Sequence, residues 1–249
     1  MNITKDLYLD LLKKSLTDFI YADVQEKPNV QLEPFDELKR INGLDHPTYA
    51  HTMIGIKRLD NLQFCIENIL ANDIPGDLIE TGVWRGGAVI FMRGVLKAYS
   101  DDKRFVWAAD SFEGLPMPDA DKYPADEGDR HHENKFLAVS LERVKANFAK
   151  YGLLDEQVKF LKGWFKDTLS SVPIKKLALI RLDGDMYEST MDALVHLYPK
   201  LSIGGYLIVD DYGAVPACRQ AIEDYRQAHQ IIDEIKTIDW TGIYWKRSY

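Results

Sequence analysis

The run Leu177–Leu182, "LALIRL", is apolar at five of its six positions. A strand with no apolar–polar alternation is covered on both faces, as a central strand of a parallel sheet is. Its surroundings agree. "DLIETGV" from Asp77, "RFVWAAD" to Asp110, "QVKFLKG" to Gly163 and "GGYLIVDD" from Gly204 are further short apolar runs. Between them lie segments of helical character: "GGAVIFMRGVLKAYS", "SLERVKANFAKYG", residues 187–200 and Pro216 to His229. Ser140 suits the N-cap of the second, with Glu142 in its first turn and Gly152 past its end. Pro216 suits the start of the last. Strands alternating with helices predict an α/β fold with a parallel sheet. "IIDEIKTID" and "GIYWKRS" around a Trp-Thr-Gly turn predict a C-terminal antiparallel hairpin, which makes the sheet mixed.

Residues 5–20 read as an amphipathic helix, with Leu9, Leu12, Leu16 and Phe19 on one face. Residues 21–48 are irregular, punctuated by Pro28, Pro34, Gly43 and Pro47. A second helix over 55–71 aligns Ile56, Leu59, Leu62, Ile66 and Ile69. The expectation is one domain over residues 1–249, with a helical cap (1–72) on an α/β core (73–249). Ser111 to Lys135 has no periodicity and is too long for an ordinary connection. It follows the carboxyl end of a strand, where open α/β sheets bind ligands. It reads as a lid over a substrate, against the alternative of an acidic surface loop.

Two apolar strands end in acid: Asp183 and Asp185 after the first, Asp210 and Asp211 after the second. If these strands are neighbours, Asp183, Asp210 and Asp211 converge. Converging carboxylates repel unless a cation sits among them. Oxygen ligands without His or Cys point to Mg²⁺, Mn²⁺ or Ca²⁺ and away from zinc. His131 and His132, beside Asp129 and Glu133, form the alternative metal cluster, and their adjacent placement reads better as a solvated pair. The competing reading of the aspartates is helix capping by Asp183 or Asp185 near Met186–Leu197. Capping explains one acid and leaves the second strand's pair unexplained.

"IETGVWRGGA" places Glu80, Gly82, Gly86 and Gly87 between a strand and a helix. Glycines let the backbone approach a ligand, and the helix start offers free amides. The spacing is not G-x-G-x-x-G. Glu80 is poor company for a pyrophosphate and good company for a cationic amine. Asp110 ends the next strand, where an acid accepts hydrogen bonds from ribose hydroxyls. The pair reads as a site for a nucleoside carrying an amine. The competing reading is a tight turn whose glycines serve packing.

A net charge of −8 argues against a nucleic-acid binder, since phosphate neutralisation needs a basic face. No run approaches the length of a membrane span, and the charged N-terminus does not resemble a signal peptide. Two cysteines far apart, Cys65 and Cys218, read as free buried thiols in a reducing, cytoplasmic setting.

"ETGVWRGGA", "ADSFEGLP", "GWFKDTL", "RLDGDMYEST" and "VDDYG" resemble the macrocin O-methyltransferase family, and "HTMIGIKRLDNLQ" fits that family's cap region. The likeness extends from about Asp6 to the C-terminus. It implies a Rossmann-like, doubly wound, mostly parallel seven-stranded sheet. It also implies an S-adenosylmethionine-dependent, Mg²⁺-dependent O-methyltransferase acting on a sugar hydroxyl of a small-molecule natural product. Glu80, Gly82, Val83 and Gly86 would line the methionine side of S-adenosylmethionine, Asp110 and Ser111 its ribose, and Gly163, Trp164 and Phe165 its adenine. Asp183, Asp210 and Asp211 would hold Mg²⁺. Asp185 would be the general base, with Asp183 as the local alternative. The expected partner is a glycosylated small molecule, with a homodimer through the N-terminal helix. A catechol or other vicinal diol is the alternative acceptor. A carboxylate-metal hydrolase needs no Glu80–Asp110 pocket, and a nicotinamide dehydrogenase would want the full glycine fingerprint.

Overall fold

The computed structural model describes residues 3–22, 24 and 33–249; Pro28 lies outside the described residues. The amphipathic N-terminal segment forms α1 (Ile3–Leu16), which buries Leu9, Leu12 and Leu16. It ends earlier than its periodicity suggests because Asp18 turns the chain at φ +49°, setting Phe19 edge-on to Phe35. A short helix the sequence did not reveal, α2 (Glu37–Asn42), is capped by Asp36 and closed by Gly43 in the left-handed region. Six residues are too few for a period to show. α3 (Gly55–Ala71) is the predicted second helix.

The core runs β1 (Asp77–Thr81), α4 (Gly87–Ala98), β2 (Val106–Asp110), α5 (Leu141–Lys150), β3 (Val158–Lys162), α6 (Phe165–Thr168), β4 (Leu177–Leu182), α7 (Tyr187–Leu197), β5 (Leu201–Val209), α8 (Pro216–Ala228), β6 (Lys236–Thr237) and β7 (Ile243–Lys246). Ser140 caps α5 as expected, its hydroxyl accepting from the Arg143 N–H at 3.3 Å. The seven strands lie in the order β3-β2-β1-β4-β5-β7-β6. β1 to β5 pair in parallel, and β7 runs antiparallel to β5 and β6. The hairpin is shorter than its sequence suggested. Arg226 takes the Asp233 carbonyl at 2.5 Å and Ser248 holds the Asp233 carboxylate, so residues 231–235 leave the ladder.

Alternate strand residues face opposite helical layers. Leu78, Ala108 and Ile208 pack with residues of α1, α3, α4 and α5, so the N-terminal helices share a core with the sheet. Ile79, Ala109 and Leu207 pack with residues of α7 and α8. Both cysteines are buried and free. Among the described residues no helix is long and apolar enough to cross a membrane. Strand order reverses at β1, with β2 and β3 to one side and β4 and β5 to the other. The crevice at the carboxyl ends of β1 and β4 is therefore the topological switch point, where such sheets bind ligands.

Candidate active site

The ends of β1 and β4 meet closely. The Asp183 N–H donates to the Thr81 carbonyl at 2.9 Å, and a Cβ on Gly82, itself at φ +84°, would collide with the Asp183 carbonyl oxygen. Only glycine allows this approach. Beyond it opens a cleft of about 890 Å³. Five strand ends contribute to its wall: Glu80, Gly82 and Val83; Asp110 and Ser111; Trp164 and Phe165; Asp183 and Asp185; Asp210 and Asp211. Gly86 and Gly163 do not border it. Gly86 closes the turn behind Val83, where its α-carbon faces Val144. The Gly163 N–H donates to the Asp110 carbonyl at 2.9 Å. Both shape the cleft from behind rather than lining it.

Asp110 is tied to its own strand end. One carboxylate oxygen accepts the Val83 N–H at 2.7 Å and the other the Phe112 N–H at 2.6 Å. Burial still raises its pKa, and those backbone bonds oppose the rise. The Phe112-bound oxygen also accepts the Ser111 hydroxyl at 3.4 Å, so a ligand hydroxyl would meet a carboxylate already held by its own loop.

The acid cluster also holds cations, Arg181 and Arg58. Arg181, the one polar residue of "LALIRL", is buried between the strand tips. It donates to Glu80, to Asp183 at 2.7 Å and to Asp210. Burial disfavours its charge, but Asp210, Asp183 and Glu80 outweigh that and hold the guanidinium protonated. Arg58 of α3 reaches Asp210 as well, and Asp239 at 3.0 Å. A bound cation is therefore not the sole balancing charge. The carboxylates still exceed the guanidinium groups. Burial pushes Glu80 up to about 8 against the pull of Arg181. Burial and Asp210 push Asp183 up to about 7. Burial, opposed by His131, leaves Asp185 at about 6. Burial and the other three aspartates hold Asp211 well above the ordinary range. One oxygen each of Asp183, Asp210 and Asp211 lies within 4.8 Å of the others.

Neither Asp183 nor Asp185 caps α7. Asp185 sits at φ +56°, a left-handed conformation costly for most side chains, and its N–H donates to Asp211 at 3.2 Å. The loop 111–139 forms three one-turn helices and carries His131 to the cleft wall. His131 Nδ1 pairs with Asp129 at 2.6 Å. Burial lowers the imidazole, but Asp185 and Asp129 more than offset it, so its pKa is raised. The sequence offered two adjacent histidines with no signal to choose between them; His132 does not border the cleft.

These shifts set a pH dependence. Glu80, Asp183 and Asp185 hold their protons in the fold to higher pH than unfolded carboxylates do. Between pH 5 and 8 the folded state therefore binds more protons than the unfolded one, and stability falls as pH rises. Thermal melts of the ligand-free protein should show Tm decreasing over that range. A Tm that climbs from pH 5 to 8 would contradict it.

Residues 5–247 match the family described as Macrocin-O-methyltransferase (TylF). The chain is 57% identical over 245 residues to the 8-demethyl-8-(2,3-dimethoxy-alpha-L-rhamnosyl)-tetracenomycin-C 4'-O-methyltransferase of Streptomyces olivaceus, covering 98% of this chain and 94% of that one. It is 53% identical to the Mycinamicin III 3''-O-methyltransferase of Micromonospora griseorubida, over 98% and 97% of the two chains. Among solved structures it superposes on the O-methyltransferase NovP with a TM-score of 0.94 and 52% identity, covering 98% of this chain and all of that one. A match of this extent, on a cleft at the switch point of a doubly wound sheet, shows that the chain belongs to the macrocin O-methyltransferase family and is an S-adenosylmethionine-dependent O-methyltransferase.

Proposed function

We propose that the protein methylates a sugar hydroxyl of a glycosylated natural product, using Mg²⁺ held by Asp183, Asp210 and Asp211. The observation that carries this reading is the meeting of those three carboxylates within 4.8 Å in the cleft that Asp185 also borders. The relatives named for a rhamnosyl tetracenomycin and for mycinamicin III support a glycosylated acceptor.

The residues suit both expected groups. Glu80 keeps one buried oxygen, Oε2, without a hydrogen-bond partner, fitting the positive charge of a methionine-like amine. Trp164 and Phe165 offer an apolar wall to an adenine. The acid cluster is an all-oxygen donor set carrying surplus negative charge, which suits a hard divalent cation. Such a cation supplies positive charge that lowers the pKa of a hydroxyl placed against it.

Asp185 acts as the base. Its carboxylate accepts no hydrogen bond among the described residues, whereas Asp183 is committed to Arg181 at 2.7 Å. With a pKa near 6 it is ionised at neutral pH yet basic enough to take a proton. Asp185 receives the hydroxyl proton as the oxygen bonds to the methyl carbon and the sulfur departs with the bonding pair. Glu80 and Asp110 orient the donor, and the loop 111–139 excludes water.

Calorimetric titration with S-adenosylhomocysteine, after chelator treatment and again with Mg²⁺ restored, tests this reading. Micromolar binding is expected, with turnover of a glycosylated acceptor only when Mg²⁺ is present. No binding in either state would remove the donor site, and full turnover under chelation would remove the metal.

A further inference from the structure

We propose that Asp126 is a positioning residue for methyl transfer, acting from the lid on the backbone that carries Asp185. The proposal rests on the assignment of Asp185 as base. α7 starts two residues after Asp185, and its N-cap, Met186, offers no side-chain acceptor. The first amides of a helix need acceptors, which the residue just before it usually supplies. Here they come from 61 residues upstream: Asp126 accepts the Tyr187 N–H at 2.7 Å through one oxygen. Its other oxygen accepts the Glu188 N–H at 3.0 Å. Asp126 is 1% exposed, and both of its oxygens are used on this one helix end.

The same residue organises the lid. It closes the single turn Pro124–Asp126, and its carbonyl accepts the Asp129 N–H at 3.1 Å. Asp129 in turn holds His131 by its N–H at 2.9 Å and its ring at 2.6 Å, placing the imidazole at the cleft wall. Tyr123 lies beside Tyr187, ring centres 6.0 Å apart and planes tilted by 39°. One carboxylate thus joins the lid, the start of α7 and the turn that keeps Asp185 at φ +56°. A left-handed aspartate relaxes when the segment after it is released. Without Asp126, both the carboxylate of Asp185 and the His131 lid turn lose their reference point. Glu80 and Asp110, on the other side of the cleft, keep theirs.

The alternative is a helix cap with no bearing on catalysis. The test compares Asp126→Ala with Ser140→Ala, which removes the cap of α5 at an exposed residue that does not border the cleft. Asp126→Ala is expected to bind S-adenosylhomocysteine as the unaltered protein does and to lose about 10²-fold in kcat, the scale of an ångström-sized misplacement. Hydrogen exchange should quicken at Tyr187 and Glu188 and through residues 123–134. Ser140→Ala should lose less Tm, because its single cap bond is exposed and long, with kcat nearly intact. Asp126→Asn, which keeps an acceptor for one amide and should fold even if the alanine variant does not, should fall between. If Asp126→Ala or Asp126→Asn loses no more kcat than Ser140→Ala, the residue is a cap alone. If S-adenosylhomocysteine binding vanishes too, the effect is not one of positioning. Loss of activity in Asp126→Ala while Asp185→Asn remains active would instead overturn the base assignment beneath the proposal.

Discussion

Replacing Asp185 by asparagine should lower kcat by about 10²–10⁴-fold, the range contributed by a positioned general base, and leave S-adenosylhomocysteine affinity near that of the unaltered protein. Asparagine keeps the size and one acceptor oxygen of the side chain but cannot take a proton. It is also among the non-glycine residues best suited to Asp185's φ of +56°, so the turn should survive. Removing this charge relieves repulsion on Asp211, which Asp185 holds up in pKa, so Tm should not fall. In the unaltered enzyme activity should rise with pH as Asp185 loses its proton; in the variant the part of that rise due to Asp185 should vanish. Steady-state kinetics between pH 5 and 9 with parallel calorimetry checks both parts. Unchanged kcat would move the base to another residue, and lost binding would mean that Asp185 serves the donor site.

The largest effect on stability is expected from Arg181→Met. Methionine fills much of the same volume, so the packing change is small. The electrostatic change is not, because Glu80 and Asp183 lose their shared guanidinium and Asp210 is left with Arg58 among the described residues. Breaking a buried ion pair on one side costs about 3–5 kcal/mol, a large share of a typical ~5–15 kcal/mol stability. The loss should be smaller at pH 5.5 than at pH 8, because the orphaned carboxylates can protonate at the lower pH. Urea denaturation at both pH values measures it. A loss that is small and independent of pH would mean that the carboxylates do not depend on the guanidinium charge, with Arg181 only filling space.

The two predictions separate what local sequence carries from what it does not. Strand and helix positions were legible because burial on both faces of β4 and the Ser140–Gly152 cap chemistry are written in consecutive residues. The acids at the strand ends were legible for the same reason: a run of apolar residues marks the strand, and its last residue marks the tip. Glycine placement was legible only as flexibility. Gly82 and Gly86 look alike in sequence, yet one lies at the cleft and the other packs behind it against Val144.

By itself the sequence determined the α/β class, the strands whose tips carry the chemistry and the all-oxygen character of the acid cluster. These follow from periodicity and from side-chain type, which need no knowledge of distant neighbours. Only the tertiary structure decided how that cluster is balanced and held. Arg58 meets Asp210 across 152 residues of chain, Asp126 reaches the start of α7 across 61, and His131 rather than His132 turns into the cleft. Such contacts arise when packed layers bring remote segments together, and no short-range pattern encodes which partner each charge will find.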